Sequence, residues 1–148
     1  MYIVLNHIWN RVRTDQRKRI LIVDEAWQLM KYPDSANFMF SLAKRARKYY
    51  LGLTTITQDV EDFISSPMGR AIVANSSIQL LLKQSPSAVD VLGQVFKLTE
   101  EELKRLSNFP VGQGLFFAGQ NHVLIQIIAS ETEQSLITTN PQAQRKGI

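Results

Sequence analysis

Residues 19–27 read RILIVDEAW: four apolar residues, Ile20 to Val23, run without a break into two adjacent carboxylates, Asp24 and Glu25. A carboxylate removed from water is costly unless a cation, a hydrogen-bond network or solvent meets it. The run therefore predicts a core strand, residues 20 to 24, whose carboxyl end opens on a polar edge. The rest of the chain is read outward from that strand.

Upstream, Met1, Tyr2, Leu5, Ile8, Trp9 and Val12 recur at helical spacing and predict an amphipathic helix over residues 1 to about 16. Downstream, Met39, Leu42, Ala43, Ala46, Tyr49 and Tyr50 form one stripe of a helix over 36–50, with Lys44 and Lys48 opposite. LGLTTIT (51–57) and SIQLLLK (77–83) have the β-branched and apolar content of two further strands. Ser66-Pro67 and Ser85-Pro86 each pair an N-cap with a proline suited to the first helical position, and Gly93 is placed to close the second of those helices. Asn75 ends the first, although Asn75-Ser76-Ser77 also has the pattern of a glycosylation acceptor. Thr99 and Glu102 have capping-box spacing. GLFFAG and HVLIQIIA flank Gln120-Asn121 and predict a β-hairpin over 114–129. Beyond Ser130 the chain is polar, with a short helix or turn at 131–137 and a loose TTNPQAQRKGI tail.

Strands alternating with helices predict an α/β fold: a mainly parallel sheet flanked by helices, with an antiparallel hairpin at one edge. Residues 1–130 form the domain in this reading, and 131–148 the tail. With 148 residues, 45% hydrophobic and 20% charged, the chain suits one soluble domain with a sizeable core. No apolar run approaches the ~18 residues that read as a membrane span, and MYIVLNHIWNRVR carries its charges at the wrong end for a signal peptide. The expectation is a cytosolic protein. The absence of cysteine rules out disulfides and thiolate metal sites, and His7 and His122 are too far apart in sequence to suggest zinc.

The net charge of +4 is gathered in clusters: Arg11, Arg13, Arg17, Lys18 and Arg19, then Lys44, Arg45, Arg47 and Lys48, then Arg145 and Lys146. Such patches attract nucleic acid or anionic lipid. The first two also fall where helices should end, and cations there complement the helix dipole. Charge alone does not choose between these readings.

Ligands of open α/β sheets gather beyond the carboxyl ends of the strands. If the first two strands are parallel neighbours, Asp24, Glu25 and Gln58 share that edge. An apolar strand ending in Asp has the Walker B form: the Asp helps hold Mg²⁺, the Glu accepts a proton from attacking water, and a Gln can orient that water. Arg47 precedes Gln58 by 11 positions; across a strand of about 20 Å, at ~3.3 Å per residue, it sits at the opposite edge. From there it can reach a neighbouring subunit's nucleotide as an arginine finger. Arg45 flanks the same helical stripe and is equally available. Lys83 and Gln84, at the end of the third strand, are lesser candidates. Trp9 and Trp27 read as core aromatics, with partner contact as the alternative.

ILIVDEAWQLM, KRARKYYLGLTTITQD, GRAIVANSSIQLLLKQ and GLFFAGQNHVLIQIIAS, in that order, resemble the conjugative-transfer ATPases of type IV secretion systems, the VirB-four and TraC type. The similarity covers residues 15 to 140. It implies a RecA-like P-loop NTPase core related to the FtsK and HerA pumps. Such proteins work with ATP and Mg²⁺ as a hexameric ring at the cytoplasmic face of the inner membrane. Turnover there drives channel or pilus assembly and substrate transfer with other secretion components. Carried over by motif, Asp24 is the magnesium-side acid, Glu25 the catalytic base, Gln58 the sensor glutamine and Arg47 the finger acting in trans.

One departure stands out: none of the seven glycines is followed by lysine, so no GxxxxGK[ST] loop is present to cradle phosphates. The chain therefore reads as the C-terminal part of an ATPase domain, binding ATP poorly by itself. The competing readings are a non-catalytic assembly module that keeps the sheet, and an FtsK- or HerA-like DNA pump. A DEAD-like helicase accounts for DEAW and TTIT but requires an arginine motif of which only Gly69-Arg70 is present.

Overall fold

The computed structural model of the chain describes residues 2–15 and 17–137. In order these form α1 (Tyr2–Thr14), β1 (Arg19–Val23), α2 (Trp27–Met30), α3 (Pro33–Arg45), a 3₁₀ turn (Ala46–Tyr49), β2 (Leu51–Thr55), α4 (Val60–Ser65), α5 (Pro67–Asn75), β3 (Ile78–Leu81), α6 (Pro86–Phe96), α7 (Glu100–Asn108), β4 (Gln113–Ala118), β5 (Asn121–Gln126) and α8 (Glu131–Ile137). The α/β class read from the sequence holds. The TTNPQAQRKGI tail lies outside the described residues. The chain forms two compact units, one ending at Gln79 and one beginning at Leu80.

In the first unit β1 and β2 pair in parallel, from Arg19 opposite Leu51 to Val23 opposite Thr55. Helix α1 buries Leu5, Trp9 and Val12, and the Trp9 ring meets Tyr49 edge-on at 5.0 Å. Helix α3 begins three residues before the expected 36 because Pro33 suits the first helical position, where its missing N–H costs nothing. The buried Ser35 hydroxyl donates to the Leu29 carbonyl at 2.6 Å and so ties α2 to α3. Ala36, Met39 and Leu42 form the buried stripe. The helix tightens into the 3₁₀ turn and stops at Tyr50, whose left-handed backbone (φ 54°) aims the chain into β2. Ser66 accepts the Met68 N–H ahead of Pro67, as the sequence predicts, and α5 ends at Asn75. Gly69 lets α4 and α5 approach closely, since a Cβ there would overlap the Phe63 carbonyl.

The expectation of one mainly parallel sheet with an edge hairpin is corrected: β3 joins the hairpin in a separate sheet of order β3-β4-β5. The physical reason is local. Gly114 in β4 has no side chain, so the backbone of β3 can lie against it; a Cβ there would be 2.7 Å from the Leu81 carbonyl oxygen. Strands β4 and β5 are antiparallel, with Ala118 opposite Asn121. The hairpin turn is thus Gly119-Gln120, one residue earlier than expected. Gly119 adopts φ 65°, the positive value that a two-residue turn favours at its first central position. Gly93 does not close α6 either. The helix runs on to Phe96 and is ended by left-handed Lys97, while Gly93 leaves room for Leu103, which a Cβ would approach to 2.9 Å. The Thr99–Glu102 capping box starts α7, and Leu92, Leu106, Leu115 and Phe117 are buried in this unit.

Candidate functional site

The candidate site grows from the last rungs of the β1–β2 ladder. Beyond the Val23–Thr55 rung, Ile56 N–H donates to the Val23 carbonyl and Ala26 N–H donates to the Ile56 carbonyl, both at 2.9 Å. Asp24 and Glu25 form the short loop between those two bonds, and Gln58 lies two residues beyond Ile56 along the neighbouring strand path. Two carboxylates and an amide therefore follow the carboxyl ends of adjacent parallel strands, where such sheets present ligands. The observed β2 has five residues, not seven. Thr57 leaves the ladder by donating its hydroxyl to the Asp59 carbonyl, and Asp59 caps α4 by accepting the Asp62 N–H at 3.2 Å.

Glu25 has φ 50°, the left-handed region that a residue with a Cβ seldom adopts. Asp24 supports this turn, because its Oδ1 accepts the Glu25 N–H at 2.9 Å. Among the described residues, Asp24 Oδ2 has no hydrogen-bond partner, and Asp24 is exposed. Glu25 is half-buried, and its Oε2 accepts the Trp27 indole N–H at 2.6 Å. The Lys31 ammonium sits over the indole, 4.1 Å from the ring centroid. Trp27 is thus not the core aromatic expected from the sequence; it is half-buried and bridges a carboxylate and a cation. Its ring also borders an open cleft of about 660 Å³, lined further by Lys31, Tyr32 and Asp34.

The remaining sequence candidates lie elsewhere. Arg47 is in the 3₁₀ turn that precedes β2, at the amino end of the ladder, and its side chain is exposed. The guanidinium of Arg45 is held by its own helix, with Nε donating to the Ser41 carbonyl at 3.2 Å and Nη2 to the Ser41 hydroxyl, and it lies 5.6 Å from the Trp9 ring. Lys83 and Gln84 follow β3 in the second unit, where the Gln84 backbone N–H donates to the Leu106 carbonyl at 3.1 Å.

The second unit also holds a polar contact that sequence reasoning missed. Glu102 Oε1 and His122 Nε2 are 2.5 Å apart, joining the first turn of α7 to β5. Glu102 Oε2 accepts the Thr99 N–H at 2.8 Å. That backbone bond, opposed by partial burial and reinforced by the Thr99 hydroxyl and His122, holds the Glu102 carboxyl below its ordinary range. The capping box was legible from spacing; the histidine, 20 residues away, was not.

Residues 1–109 match the family model described as the TraG P-loop domain. The chain is 30% identical to protein TraC of Escherichia coli (strain K12) over 103 residues, 65% of this chain and 12% of TraC. It is 26% identical to the type IV secretion system protein CagE of Helicobacter pylori (strain ATCC 700392 / 26695) over 90 residues, 61% of this chain and 9% of CagE. The structure of VirB4 of Thermoanaerobacter pseudethanolicus superposes with a TM-score of 0.80 at 36% identity, covering 88% of this chain and 37% of that one. The chain thus spans about a tenth of the two curated relatives it matches.

Proposed function

The chain belongs to the TraG P-loop domain family, and is related to the VirB4 and TraC type IV secretion ATPases; from that premise we propose that it is the Walker B portion of a RecA-like secretion or conjugation motor. In this reading the longer protein hydrolyses ATP in a ring, with six subunits the family expectation. It works at the cytoplasmic face of the inner membrane with other secretion components, and turnover drives channel or pilus assembly and substrate transfer. No helix among the described residues is long and apolar enough to cross a membrane. The observation that carries the reading is the parallel register by which Asp24-Glu25 and the segment leading to Gln58 leave the carboxyl ends of adjacent strands.

Mg²⁺ is bound through one or two carboxylates together with water and phosphate oxygens. Asp24 fits that role, being exposed, with one oxygen fixed by the Glu25 N–H and the other open. When bound, the metal neutralises charge on the phosphates. Glu25 takes the proton of the attacking water, and Gln58 orients that water from the loop that follows β2. Arg47, at the far end of a ladder about 17 Å long, serves the neighbouring subunit's nucleotide. The phosphate cradle is absent from this sequence and is supplied, in this account, by another part of the whole protein.

The test is Mg²⁺-dependent ATP turnover. The longer protein should hydrolyse ATP, and residues 1–148 alone should bind it poorly and hydrolyse almost none. Full-rate turnover by the 148-residue chain would contradict the assignment. A second reading, a non-catalytic assembly module, is favoured by the exposed apolar residues of β1, Ile20 at 75% and Ile22 at 62%. Parallel strands are usually covered on both faces. That reading predicts a longer protein that assembles without turning over ATP.

A further inference from the structure

We propose that Trp27 is the positioning residue of the Glu25 carboxylate, fixing the base through its indole N–H; the proposal rests on the assignment of Glu25 as the base. Side chains two positions apart on a regular helix do not face each other. Here the left-handed backbone at Glu25 breaks that geometry, and Trp27 Nε1 reaches Glu25 Oε2 at 2.6 Å.

The chemistry of the contact is directional. An indole N–H donates and cannot accept, so it favours the ionised, proton-accepting form of the carboxyl. It occupies Oε2 only, and among the described residues Oε1 has no hydrogen-bond partner, leaving it open to a water. The indole is itself restrained: Trp27 is the first residue of α2, and Lys31 lies over its ring at 4.1 Å. A rigid donor on one oxygen orients the other, which is what a general base requires of its neighbours.

Two measurements test this. In the 148-residue chain with Trp9→Phe, the single remaining indole N–H is followed by NMR. Glu25→Gln replaces a charged acceptor by a neutral one, so the resonance should move upfield and its exchange with water should quicken by about tenfold. An unchanged resonance and exchange rate would overturn the contact. In the longer ATPase, Trp27→Phe keeps an aromatic ring over which Lys31 can sit and deletes the N–H donor. It should lower kcat by about tenfold with the KM for ATP unchanged, and cause no further loss in a Glu25→Gln background.

The two assignments fail differently. Wild-type turnover in Glu25→Gln removes the base and this proposal together. An inactive Glu25→Gln beside a Trp27→Phe variant with wild-type kcat removes the positioning role alone. A Trp27→Phe loss that adds fully to that of Glu25→Gln also overturns it, because the indole would then act independently of the carboxylate.

Discussion

Asp24 and Arg47 stand at opposite ends of one parallel ladder, Asp24 following the Val23–Thr55 rung and Arg47 preceding the Arg19–Leu51 rung. Five residues of strand separate the two ends, about 17 Å. Arg47 is exposed, and among the described residues its guanidinium makes no hydrogen bond or ion pair, unlike that of Arg45. In the proposed longer ATPase, Arg47→Ala should leave ATP binding by isolated subunits unchanged and lower turnover of the proposed ring by roughly 10³-fold, the scale of a finger acting in trans. Turnover measured against protein concentration checks this; an equal loss in dilute monomer would argue against action between subunits.

The two helical glycines predict contrasting effects on stability. A Cβ at Gly69 meets the Phe63 backbone carbonyl, which cannot move without shifting α4. Gly69→Ala should therefore cost about 3 kcal/mol, the upper range for overpacking. A Cβ at Gly93 meets only the tip of Leu103, which can rotate. Gly93→Ala should stay within about 1 kcal/mol of wild type, the strain offset by the helix preference for alanine. Urea unfolding of both variants reads the difference, and equal effects would count against the close α4–α5 approach.

Acid should weaken the α7 cap. Glu102 is held below its ordinary range chiefly by the Thr99 N–H, so its contribution to stability is complete above the unfolded-state value and is lost as the pH falls through the lower folded value. Unfolding midpoints of the chain should therefore drop below about pH 4.3, and the drop should be smaller in Glu102→Gln. Thr99→Ala removes the N-cap and should cost about 1 kcal/mol at neutral pH. An identical pH dependence in wild type and Glu102→Gln would show that this carboxylate contributes nothing to it.

Local chemistry was legible in the sequence wherever one residue acts through its neighbours. The helix starts at Ser66-Pro67 and Thr99 and the end of α5 at Asn75 are decided within a few residues. The run into Asp24 does form a strand, but of the expected core strand only Val23 is buried, while Ile20 and Ile22 are exposed. What could not be read depends on distant partners or on backbone sign. Helical Gly93 looked like a stop because glycine commonly ends helices, yet it is kept small for Leu103, ten residues on. Strand β3 looked like a third member of the first sheet, but the bare backbone of Gly114 receives it in the second. Trp27 looked like core because aromatic residues at helical spacing usually are. Only the positive φ of Glu25 turns its N–H onto the carboxylate, and no propensity scale gives glutamate that conformation.

The most direct test of the central claim is single-turnover hydrolysis by the proposed longer ATPase carrying Glu25→Gln. ATP should bind with wild-type affinity while the hydrolysis rate falls by at least about 10²-fold, the loss expected on removing a general base. Hydrolysis at the wild-type rate would contradict the assignment of this strand edge as the catalytic site.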